Sequence, residues 1–142
     1  MKSISASAEK GNIMRFKSDF VTNSSSSSFV VAIKDGTEAK ELAKLLKPSV
    51  DKFLRHIEDE YRGYKEKFLE DFSDEVEAYD TPFELAIAKR LIQMALGGIK
   101  LPGWNVFGET WGDEDGTGFS FFMYDFASFP AENSIIKMKR TS

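Results

Sequence analysis

Between positions 50 and 72, Val50, Phe53, Leu54, Ile57, Tyr61, Tyr64, Phe68, Leu69 and Phe72 recur at steps of three and four. That step is the period of one side of an α-helix. The spacing predicts one helix over residues 49–72, about 35 Å long at a rise of about 1.5 Å per residue. Such a stripe is longer than a small domain needs to cover its own sheet. It therefore predicts self-association, with Phe53, Ile57, Tyr61, Tyr64 and Phe68 in the seam. Gly63 is the position for a kink. The other side of the stretch is acidic, with Glu58, Asp59, Glu60, Glu66, Glu70 and Asp71 against Arg55, Arg62, Lys65 and Lys67. It reads as a solvated face or as an acidic docking surface.

Two shorter helices flank this one. Thr37 is placed to cap the first, whose stripe is Leu42, Leu45 and Leu46 with Ala39 and Ala43, and Pro48 ends it or opens the next. Asp80-Thr81-Pro82 starts the second, over residues 83–96. It is apolar nearly all round and therefore buried, and Gly97-Gly98 ends it. Beyond the Leu101-Pro102-Gly103 turn the period changes to that of strands. The segments are 104–110, a return strand at 119–124 across an Asp115-Gly116 hairpin, and a last strand at 135–139 with Lys137 and Lys139 opposite Ile136 and Met138. The class is α+β, an antiparallel sheet packed by one long and two shorter helices. Residues 1–12 read as a flexible leader and 13–142 as a single domain, a size that suits one core.

The N-terminal third carries the most unusual string, DFVTNSSSSSFVVAI. Its five serines, Ser24, Ser25, Ser26, Ser27 and Ser28, run directly into Phe29, Val30, Val31, Ala32 and Ile33. The apolar run predicts a strand with Phe29, Val31 and Ile33 on one face and Val30 and Ala32 on the other, needing cover on both sides. The serines before it read as a loop that bonds to its own backbone, or as an ordered loop presenting hydroxyls and amides to an anion. A further short strand, with Met14 and Phe16 alternating with Arg15 and Lys17, precedes them. Over residues 20–33 the string resembles the opening of small prokaryotic and phage proteins of uncharacterised role. That resemblance implies a bacterial, archaeal or phage origin and brings no activity with it.

Composition removes several classes of function. With no cysteine there is no disulfide, no thiolate nucleophile and no cysteine-held metal, and a single histidine excludes a histidine-rich centre. A net charge of −4 gives no global attraction to nucleic acid or to an anionic membrane. The most apolar run, residues 83–96, is interrupted by Glu84, Lys89 and Arg90 and falls short of a membrane span, so cytoplasm is the expected compartment. Asp113, Glu114 and Asp115 crowd one turn without the ligand spacing of a calcium loop. Glu109 facing Asp125 or Tyr124 across the hairpin is a weak acid-base arrangement, and His56 reads as a surface helix residue. No glycine-rich loop has phosphate-binding spacing.

Two readings of different classes follow. The first is a non-catalytic protein-interaction or accessory protein, self-associating, with no cofactor and no metal. The second is a small-molecule or nucleotide-binding protein in which Asn23, Ser24, Ser25, Ser26, Ser27 and Ser28 supply anion donors, with Arg15 and Lys17 adding charge.

Overall fold

A computed structural model describes residues 26–112, 118–127, 129–130 and 132–141. In chain order the elements are β1 (Ser26–Lys34), α1 (Ala39–Glu60), α2 (Lys65–Val76), α3 (Phe83–Leu96), β2 (Ile99–Leu101), β3 (Trp104–Gly112), α4 (Gly118–Asp125) and β4 (Ile136–Arg140). The strands form one four-stranded sheet in the order β2-β3-β1-β4, and each neighbouring pair is antiparallel. The α+β class and the antiparallel sheet match the sequence reading. The long helix is α1, and α3 and α4 are the shorter helices that reach the sheet.

The helical stripe does not make one helix over 49–72. α1 begins ten residues earlier and runs straight through Pro48. The proline costs one backbone hydrogen bond to Lys44, and both residues lie on the exposed side, where the loss is least costly because the carbonyl is not buried. The start at Ala39 leaves Thr37 outside the helix, its hydroxyl donating to the Lys34 carbonyl at 2.7 Å. Glu41 takes over at that end, accepting from the Glu38 amide. The helix then ends at Glu60, and a turn closed by the Tyr64 amide on the Tyr61 carbonyl at 2.8 Å reverses the chain into α2. The Phe53 and Phe72 rings lie 5.2 Å apart. In a straight helix 19 residues would separate them by about 28 Å. The stripe therefore folds back on itself, and of the surface predicted to need a second copy Phe53 and Ile57 are buried within the chain, Tyr61 and Phe68 are half-buried and Tyr64 is exposed.

Phe53 is the hub of this core. It is fully buried and meets Phe68, Phe72, Phe121, Phe122 and Phe126 at 5.2–6.2 Å between centroids. Burying one such side chain contributes about 1.5–3 kcal/mol. Two of its partners, Phe121 and Phe122, come from the segment predicted as a return strand. Residues 118–125 are instead α4, buried on every side from Gly118 to Met123. A short run of apolar residues carries no period that separates strand from helix, and here a cramped interior favours the element that bonds its own backbone. The hairpin joining 104–110 to 119–124 is thus absent, and Asp115-Gly116 lie outside the described residues.

α4 is fixed at its start by a neighbour. The Glu75 carboxylate accepts from the Phe119 amide at 2.9 Å, an anion at a helix N-terminus, while the Glu75 carbonyl accepts from the Arg90 guanidinium at 2.9 Å. That guanidinium also stacks over the Phe119 ring. Gly118 is needed because a Cβ there would stand 2.8 Å from a ring carbon of the fully buried Phe72. The true hairpin is β2-β3, turned by Pro102 and by Gly103 at φ +83°, the pattern of a type II turn.

Candidate functional site

In an antiparallel sheet, residues opposite one another point to the same face. Phe29, Val31 and Ile33 of β1, Phe107 and Trp111 of β3 and Ile136 of β4 turn to the helices and are buried. The alternate residues turn away. Val30, opposite Gly108 and Lys139, is 41 % exposed; Ala32, opposite Val106 and Lys137, is half-buried by its neighbours alone. The expectation that Val30 and Ala32 are covered is not met among the described residues. This outer face continues through Trp104 to Ile99 and Leu101 of β2, 67 % and 48 % exposed. It is an apolar strip three strands wide.

Charge is placed unevenly around that strip. Lys34 stands at the end of β1, and Lys137 and Lys139 line the outer side of β4. The Lys137 ammonium lies 5.6 Å from the Trp104 ring centroid, which fixes both side chains on this face. Alternation along the described strands turns no carboxylate to this side. Each of the three lysines is exposed.

The serine run is split by the structure. Ser26, Ser27 and Ser28 belong to β1, opposite Gly112, Trp111 and Thr110, so they are strand and not loop. Ser27 points inward and is buried, and the Ser28 hydroxyl sits 3.3 Å from that of Thr110 on the outer face. A strand alternates its side chains, so these hydroxyls do not converge on one point. Asn23, Ser24, Ser25, Arg15 and Lys17 lie outside the described residues, as do Asp113, Glu114 and Asp115, the leader at 1–12 and the short strand at Met14 to Phe16.

The residues assigned to a helix seam part company as well. Phe53 and Ile57 are fully buried in this chain's own core. Tyr61 and Phe68 stack on each other at 5.4 Å beside it, half-buried, and Tyr64 alone is well exposed. His56 is half-buried against Phe121 and Phe126, at 5.7 and 5.0 Å between rings. Asp125 lies near it. Partial burial raises the Asp125 pKa above the usual carboxylate value, and the charges of His56 and Arg140 pull it back. With Asp125 at the end of a helix, Glu109 does not face it across a ladder.

Two polar features escaped the sequence reading. The buried Ser120 hydroxyl accepts from the Gly112 amide at 2.9 Å and donates to the Gly112 carbonyl at 3.0 Å, closing the end of β3 against strand addition. Asp35 accepts from Lys100 and, at 2.7 Å, from Asn105, tying the β1-α1 turn to the β2-β3 hairpin. Its pKa lies below the usual carboxylate value, first through the hydrogen bond from Lys100. No helix among the described residues is long and apolar enough to cross a membrane, and none of their acids and the histidine gather in a group of three or more suited to a metal. No known protein family matches the chain, and neither a curated protein nor a solved structure matches it.

Proposed function

We propose that this chain is a non-catalytic interaction protein that binds a protein partner across the outer face of its sheet. One observation carries the reading: Val30, Val106, Trp104, Ile99 and Leu101 form a continuous apolar strip that no described element covers. Contiguous exposed apolar surface rimmed by polar residues is the usual mark of a binding surface. An antiparallel sheet with one bare face also leaves room for another layer. The reading keeps the interaction role expected from the sequence and moves its surface from the α1-α2 stripe to the sheet. The alternative, a nucleotide or small anion held by the serine run, has weaker support, because Ser26, Ser27 and Ser28 alternate along a strand.

The test places a photoreactive amino acid at Val30 and, in a second variant, at the exposed Glu70 of α2. Irradiation in producing cells gives a discrete crosslinked protein from position 30 and none from position 70. Equal products from both sites, or none from position 30, reject the surface.

A further inference from the structure

We propose that the partner on this face is an acidic amphipathic helix. It lays its apolar side along Val30, Val106 and Trp104 and turns the carboxylates of one flank to Lys34, Lys137 and Lys139. This rests on the reading of the outer face as the binding surface and adds the chemistry of what binds there.

The first argument is charge. The chain holds 23 acidic and 19 basic residues, yet the described strands turn three lysines and no carboxylate to this side. A partner that meets these lysines with carboxylates gains attraction and steering, and a basic one is repelled. A second copy stacked face to face would bring only further lysines and no carboxylate from the described strands, leaving these charges without a counter-charge, so the occupant is a different molecule. Shape gives the second argument. Strands about 4.8 Å apart make the strip from β2 to β1 about 10 Å wide, close to the diameter of a helix at about 10–12 Å. From Trp104 to Gly108, opposite Val30, it extends four residues, about 13 Å, or about two and a half helical turns.

The placement of the lysines makes the partner lopsided. Lys137 and Lys139 lie on the β4 side, whereas Ile99 and Leu101 of β2 bring no charge to the opposite side. A matching helix carries Asp or Glu along one border of its apolar stripe only. Single-stranded nucleic acid fits less well. It stacks its bases on several aromatic side chains, and among the described residues the strands turn only Trp104 to this face, already beneath Lys137.

The experiment uses the full chain and three probes. They are an 18-residue helical peptide with a leucine stripe and glutamates on one flank, the same peptide with lysine for each glutamate, and an 18-nucleotide oligothymidine. Binding is followed by tryptophan fluorescence, with Trp104→Phe as the blank. The acidic peptide saturates, its Kd rises at least tenfold between 50 and 500 mM salt, and Lys34→Gln/Lys137→Gln/Lys139→Gln raises it at least tenfold. The lysine peptide does not saturate. No saturation by the acidic peptide, equal binding of the lysine peptide, or displacement by oligothymidine overturns the proposal. Val30→Glu separates the two levels of inference. If it abolishes binding while the triple glutamine variant binds normally, the docking face stands and the acidic partner falls; if it leaves binding unchanged, both fall. Circular dichroism of each variant confirms the fold, since all four positions are exposed.

Discussion

Along β1, Phe29, Val31 and Ile33 are at most 4 % exposed while Val30 between them is 41 % exposed, although all four are apolar residues suited to a strand. The two faces of one strand thus meet different surroundings. On one side α3 and α4 lie against the sheet and α1 packs on α3, with Phe53 gathering rings from two other helices and a loop. On the other side no described element lies against the strands, and Lys34, Lys137 and Lys139 border an apolar strip instead of a helical layer. Apolar character thus reports what a residue can bury and not whether the chain itself buries it. Here the inner face is buried by this chain's own helices, and the outer face is left open by every described element.

The largest break in that comparison comes from the inner side. Phe53→Ala removes the hub ring and leaves a cavity among five others. It should cost about 3–5 kcal/mol, read as a lowered denaturation midpoint in guanidinium. Gly118→Ala comes next. Its methyl meets the Phe72 ring, which is fully buried and cannot yield, so about 1–3 kcal/mol is lost in the same measurement. An unchanged midpoint in either variant would dissolve the contrast between the faces.

Legibility in the sequence follows the same division. α3 was readable because Asp80-Thr81-Pro82 and Gly97-Gly98 punctuate it, and its observed span, Phe83–Leu96, is the predicted one. β4 was readable because Ile136, Lys137, Met138 and Lys139 alternate. Gly63 marks the place of the α1-α2 bend, but the full reversal is not legible, because Tyr61 and Phe68 continue the period across it and only their contact reveals it. α4 was misread because every residue from Gly118 to Met123 is buried, which erases the contrast that distinguishes the two periods. The outer face was hidden for another reason. Val30, Trp104 and Lys137 are far apart in the chain, and only strand register brings them together.

On the outer side the effect on stability is small. Val30→Glu should change folding free energy by no more than about 0.5 kcal/mol, since the side chain is half in water already, while partner binding is lost. A collapse of the fold in this variant would mean the face is covered.

The smallest effect belongs to the rim where the two faces meet. Asp35 has a lowered pKa in the folded chain, so its contribution is present above the ordinary carboxylate range and lost as pH falls through the lowered value. Asp35→Asn removes that acid-side dependence and leaves stability at neutral pH nearly unchanged, Asp35 being exposed. Asp125 has the opposite sign. Its raised pKa makes the fold slightly less stable as pH rises through the carboxylate range, so Asp125→Asn flattens a slope of the other direction. Stability against pH for the two variants separates the contributions.

The two tryptophans of β3 offer the most direct test, because the strand turns Trp104 to the outer face and Trp111, 3 % exposed, to the helices. Acrylamide quenching of the full chain and of Trp104→Phe isolates each contribution. Trp104 is expected to emit to the red and to be quenched several-fold more strongly than Trp111, which stays blue and protected. Equal protection of both would show that the outer face is covered, and would contradict the claim that it is the surface left open for a partner.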